Sequence, residues 1–166
     1  MIQAARDVVG PAGAPVIVFV HGTSLTKAFW RAVSTRLADA HRCVSVDLPG
    51  HGALADLPFT LDAAADVVEA ALDAEGAPRG VLVGLSLGGF VAIAAAARTP
   101  ERVRGLILAG STAEPSGPAA AAFRLFAWAL GALPRRPLDA MNTWFFRHRY
   151  APEIAEPLVA GGYWSR

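Results

Sequence analysis

Val81-Leu82-Val83-Gly84-Leu85-Ser86-Leu87-Gly88-Gly89 decides how the rest of this chain is read. Val81 to Val83 has the apolar, β-branched character of a buried strand. Leu87 to Arg98 is apolar nearly all round, as a deeply buried helix is. No loop residues separate the two, so the chain must turn from strand to helix within Gly-Leu-Ser-Leu-Gly. A turn that tight needs small residues at Gly84 and Gly88, because a side chain at either would collide with it. It holds Ser86 in a strained conformation, with the hydroxyl clear of the backbone near a helix N-terminus whose dipole favours developing negative charge. Ser86 is therefore the candidate nucleophile. The plainer alternative, a glycine-rich turn with an N-capping serine, fits the strand and helix flanks less well.

Working outward, three more apolar runs read as strands: Val16 to Val20, Cys43 to Val46 and Leu106 to Leu108. They barely alternate, as parallel strands covered on both faces do. Trp30, Val33 and Leu37 share one face of a first helix between them. Leu61, Ala65, Val68 and Leu72 share one face of a second, with Thr60 placed as its N-cap. The order β-α-β-α-β-α-β predicts a doubly wound, mostly parallel α/β sheet with right-handed crossovers. After Ser111 the character changes. Glu114 to Pro118 reads as a loop, Phe123, Phe126, Ala127 and Leu130 recur at helical spacing, and Leu138 to Tyr150 reads as a helix rich in aromatics. The expected organisation is a core over residues 1–112 and an incomplete helical cap over 113–166.

Composition narrows the function classes. Of 166 residues 54% are apolar and 17% charged, which excludes disorder. The net charge is +1 with Lys and Arg scattered, so no footprint for nucleic acid or an anionic membrane is present. Cys43 is the single cysteine; it lies in an apolar run, reads as an inert buried thiol and gives no disulfide or cysteine metal site. Residues 1–10 lack the apolar core of a signal peptide, and the stretch Pro118 to Leu133, interrupted by Arg124, is too short for a membrane span. The expectation is a cytoplasmic protein with no membrane partner. Nothing in the pattern specifies an oligomeric state.

Two further motifs fall in register with the first. His21-Gly22-Thr23 closes the first strand, and Asp47-Leu48-Pro49-Gly50-His51-Gly52 closes the second. A strand ending in H-G, then D-x-P-G-x-G, then G-x-S-x-G-G, in this order, resembles the α/β-hydrolase family over roughly residues 15 to 111. The resemblance implies a serine hydrolase with Ser86 at the nucleophile elbow and the backbone N–H groups of Thr23 and Leu87 as the oxyanion hole. It implies a structural role for His21, which would orient the loop carrying Thr23; a catalytic or substrate contact is the alternative. Asp47, at a strand end before Pro49 and Gly50, reads as bonding its own turn rather than serving as a triad acid. His51 has a similar structural reading. His41 reads as a surface residue and His148, between Arg147 and Arg149, as solvated.

Serine needs a base, and the base an orienting acid. The family places both after later strands, in the order Ser, acid, His. Those strands are not read in this sequence, and Glu114 is the one acid at a position that some family members use. The expectation is a hydrolase lacking its last strands, with Leu106-Ile107-Leu108 left as an apolar sheet edge. Serine at the elbow favours an ester, lactone, thioester or carbon–carbon substrate and implies no metal or organic cofactor. Phe123, Phe126, Trp128, Trp144, Phe145 and Phe146 suggest an apolar or aromatic acyl group, unless they only pack the cap. A non-catalytic binding module on the same fold is the competing reading, as is a partner chain that completes the sheet.

Overall fold

The computed structural model describes residues 5–111, 121–122, 124–125, 135–152, 155–156 and 159. They fall into two compact units, one holding residues 5–111 and the other the described residues from 121 to 159.

The first unit is built on five strands: β1 Arg6–Val9, β2 Val16–Val20, β3 Arg42–Val46, β4 Gly80–Leu85 and β5 Val103–Ala109. Their order in the sheet is β1-β3-β2-β4-β5. β3, β2, β4 and β5 run parallel, and β1 pairs antiparallel with β3, Arg6 opposite Val46 and Val9 opposite Cys43. Three helices connect the parallel strands: α1 Arg31–Leu37, α2 Leu61–Ala74 and α3 Leu87–Arg98. The mostly parallel, doubly wound sheet read from the sequence is present, with β1 as an additional antiparallel edge strand.

Alternate residues of each strand feed two cores. Val16, Val18, Val20, Val44, Val46 and Leu82 pack with Ala65, Val68 and Leu72 of α2 and Val91, Ala92 and Ala95 of α3. Ile17, Phe19, Cys43 and Val83 face the other way, onto Trp30. Phe19 and Trp30 meet with ring centroids 5.3 Å apart. The thiol of Cys43 is fully buried, and burial pushes its pKa up, which keeps it protonated and unreactive.

Thr60 caps α2, its hydroxyl accepting from the N–H of Ala63 at 3.1 Å. The apolar face of that helix is Ala64, Ala65, Val68, Ala71 and Leu72, whereas Leu61 at its first position is exposed. The first helix differs more from its sequence reading. Trp30 closes a short 3-10 turn, Lys27–Trp30, before α1 starts, and it is buried. Val33 and Leu37 are exposed, and Ser34 is the buried residue of α1. His41, read as a surface residue, is half-buried with its Nδ1 enclosed.

In the second unit α4 spans Arg135–Arg149. Trp144 and Phe145 are exposed, and Trp144 stacks on His148 with centroids 4.5 Å apart. Glu114, Phe123, Phe126 and Trp128, singled out from the sequence, lie outside the described residues.

Candidate active site

Ser86 stands where β4 meets α3, with φ +49° and ψ −112°. A non-glycine residue held there costs about 1–3 kcal/mol and persists only where its surroundings fix it. The surroundings are hydrogen bonds to both polar groups of its backbone. The Ser86 N–H donates to Ala109 O at 2.8 Å, and the Ser86 carbonyl accepts from Gly89 N–H at 2.9 Å and from the Ser111 hydroxyl at 2.9 Å. Although Ser86 is the N-cap of α3, its side chain makes no capping bond. The hydroxyl is not spent on the helix.

The neighbouring glycines are required by contact. A Cβ at Gly84 would fall 2.5 Å from the backbone of Gly88 and Gly89, and one at Gly88 would fall 2.6 Å from the His21 carbonyl oxygen. Either would force the first turn of α3 away from β4 or from the end of β2. The same packing brings the loop after β2 beside the serine, since a Cβ at Gly22 would lie 3.5 Å from Ser86 Cβ. Thr23 is next in that loop and Leu87 next after the serine. Among the described residues neither Thr23 N–H nor Leu87 N–H donates to a protein acceptor.

His21 is fully buried. Its Nε2 accepts from the N–H of Leu48 at 3.1 Å, which makes Nδ1 the protonated nitrogen, donating to Gly22 O at 2.8 Å. Burial lowers its pKa from 6.5 to about 4, against the opposing pull of the Gly22 bond, so the ring is neutral at pH 7. Both nitrogens are engaged. The ring ties the loop after β2 to the turn after β3 and has no lone pair left to accept a proton.

Asp47 is also fully buried and accepts three hydrogen bonds. One is from Ala53 N–H in its own turn at 3.0 Å, one from Lys27 N–H at 2.8 Å and one from Lys27 Nζ at 2.6 Å. Lys27 was not legible as a site residue. Nothing in its local sequence marks it, and its role comes only from the fold bringing residues 27 and 47 together. His51 turns its Nδ1 toward Pro49 O at 3.0 Å, and its ring lies tilted against that of His21 with centroids 5.1 Å apart. The loop that carries Thr23 is thus fastened at two points, by His21 and by Lys27, to the D-x-P-G-x-G turn.

A concavity of about 290 Å³, lined by Pro15, Val16, Ile17, His41, Arg79, Val81 and Arg104, lies at the N-terminal end of the parallel strands. Ser86 is at the opposite, C-terminal end, where open α/β sheets bind their ligands. The described residues contain no cluster of His, Cys, Asp and Glu able to hold a metal, and no described helix is long and apolar enough to cross a membrane.

A doubly wound sheet with a strained serine at a strand-to-helix turn defines a class of protein, and sequence comparison agrees with it. The chain belongs to the alpha/beta hydrolase family, whose model matches residues 17–166. It is 39% identical over 99 residues to a pimeloyl-(acyl-carrier protein) methyl ester esterase of Nitrosomonas europaea, covering 59% of this chain and 38% of that one. A 2-hydroxymuconate semialdehyde hydrolase of a Pseudomonas species is 39% identical over 106 residues, covering 60% of this chain and 37% of that one. Among solved structures, a hydrolase from Pseudomonas aeruginosa superimposes with a TM-score of 0.73 at 28% identity, over 97% of this chain and 63% of that one. The chain therefore spans under two fifths of the length of the two curated relatives.

Proposed function

We propose that this chain carries the nucleophile and oxyanion-hole part of a serine hydrolase acting on a carboxylic ester, lactone or similar acyl substrate. The observation that carries the reading is Ser86 itself, held at φ +49° between β4 and α3 with its hydroxyl unused by the helix. In this mechanism Ser86 Oγ attacks the carbonyl carbon and the carbonyl oxygen takes up the negative charge. That oxygen rests on the N–H groups of Thr23 and Leu87; the carbonyl re-forms as the substrate's C–O bond breaks and the alcohol leaves with a proton, and water then hydrolyses the acyl-serine to free acid and Ser86. Each oxyanion donor lowers the barrier by about 3–4 kcal/mol. Gly84 and Gly88 permit the turn, and His21, Gly22 and Asp47 hold the loop bearing Thr23.

The proton of Ser86 needs an acceptor. His21 is not that acceptor, because both of its ring nitrogens are bonded. The proposal places the base and its orienting acid outside the described residues, where Glu114 also lies. A small apolar or aromatic acyl substrate suits the aromatic residues of α4 and the relatives named as a methyl ester esterase and a semialdehyde hydrolase. Residues 1–112 are taken as the N-terminal part of the hydrolase core and 113–166 as an incomplete helical cap segment. The proposal also keeps the protein in the cytoplasm, where a lone buried thiol such as Cys43 stays reduced.

Turnover of an activated aryl ester by the purified chain tests this. Without the base, an oxyanion hole and binding leave a residual rate roughly 10³–10⁴ over water. The expected result is slow hydrolysis of that order, with the acyl group found on Ser86 by mass spectrometry of the ester-treated chain and no such adduct in Ser86→Ala. Hydrolysis with no acyl group on Ser86 would overturn the proposal and favour a binding module.

A further inference from the structure

No sequence motif marks Ser111, yet it touches Ser86 itself. Its hydroxyl donates to the Ser86 carbonyl oxygen at 2.9 Å and lies 3.3 Å from the Ala109 carbonyl oxygen. Ala109 O in turn receives the Ser86 N–H at 2.8 Å. The end of β5 therefore holds the nucleophile's backbone from both sides, across 25 residues of sequence.

The consequence follows from the peptide bond. The Ser86 carbonyl and the Leu87 N–H belong to one planar, trans unit, so a group that fixes the carbonyl fixes the N–H pointing the opposite way. Hydrogen bonding to a carbonyl also polarises its peptide group and strengthens the N–H as a donor. Gly89 N–H at 2.9 Å and Phe90 N–H at 3.4 Å reach the same oxygen, both from the first turn of α3. Ser111 approaches from outside that helix, two residues past the end of β5. Its seat is specific, because a Cβ at Gly89 would collide with the Ser111 side chain.

We propose that Ser111 is a positioning residue for catalysis: its hydroxyl, bonded to the Ser86 carbonyl, aims the Leu87 N–H at the oxyanion. This rests on the proposed Ser86 chemistry and adds a residue to it. Ser111 touches no substrate and acts only through the 86–87 peptide.

Two readouts on the whole chain test it, comparing the natural sequence with Ser111→Ala and with Ser111→Thr, which keeps the hydroxyl. The first is the NMR shift of the Ser86 carbonyl carbon and the Leu87 amide, which needs no reactivity at all. Ser111→Ala is expected to move both, and Ser111→Thr to leave them near their original values. The second is the rate at which a fluorophosphonate modifies Ser86. Ser111→Ala is expected to slow it about tenfold, short of the 10²–10³ for losing an oxyanion donor outright, with Ser111→Thr close to the natural rate. Unchanged resonances in Ser111→Ala would overturn the inference. So would an equal loss in both variants, which would assign the effect to packing against Gly89. No adduct in the natural chain would instead count against Ser86 as nucleophile, and the NMR comparison would still decide the role of Ser111.

Discussion

Strain at Ser86 and burial of His21 are costs that single substitutions can measure. Ser86→Gly removes a Cβ from a φ of +49°. It relieves about 1–3 kcal/mol of strain and gives back about 0.5–1 kcal/mol in chain entropy, so the folded state should gain about 1 kcal/mol. A rise in the urea midpoint of Ser86→Gly checks this, and a fall would contradict the strained-elbow account. At His21 the proton is the variable. Its pKa is 6.5 in the unfolded chain and about 4 in the fold, so as the pH falls the unfolded chain protonates first. The stabilisation is complete above about pH 6.5 and is lost as the pH drops through about 4, about 3 kcal/mol in all. His21→Asn should flatten the change in urea midpoint between pH 7 and pH 4.5, and a slope equal to that of the natural chain would show that another group drives it.

Local sequence specified the elements wherever burial and pattern agreed. β2 has the same bounds in sequence and structure, Val16–Val20, because all five of its residues are buried, and α3 likewise spans Leu87–Arg98. β1 was not read because Arg6 and Asp7 make half of it polar and its four residues have no pattern of their own. Its place comes from pairing with β3 and from the ion pair of Arg6 with Glu75 at 2.7 Å, a contact 69 residues away. α1 misled for the opposite reason. Trp30, Val33 and Leu37 are periodic, but Trp30 belongs to the preceding 3-10 turn and the other two are exposed. At the candidate site, the serine and its glycines were legible because a tight turn needs those residue types. Lys27 and Ser111 were not, since each acts through a contact made by folding alone. Packing between elements gives a prediction of its own. Leu82 is fully buried between α2 and α3, so Leu82→Ala should cost about 2–5 kcal/mol in denaturant unfolding.

For the first unit as a whole, the sheet has one polar and one apolar edge. β1 closes one side with charged residues, whereas β5 lies at the other, where Leu106, Ile107 and Leu108 are 39%, 57% and 40% exposed. Among the described residues β5 pairs only with β4. An apolar strand edge of this kind templates pairing with another chain. The purified chain should self-associate in sedimentation velocity as concentration rises, and Ile107→Lys should suppress this without loss of helical signal. Association unaffected by Ile107→Lys would place the contact elsewhere. The proposed chemistry of the molecule rests on Ser86 as nucleophile, and its most direct test is peptide-mapped mass spectrometry of the purified chain after prolonged exposure to a fluorophosphonate. An adduct on the peptide containing Ser86, absent in Ser86→Ala, is the predicted result; an unmodified Ser86 peptide, or modification that persists in Ser86→Ala, would contradict it.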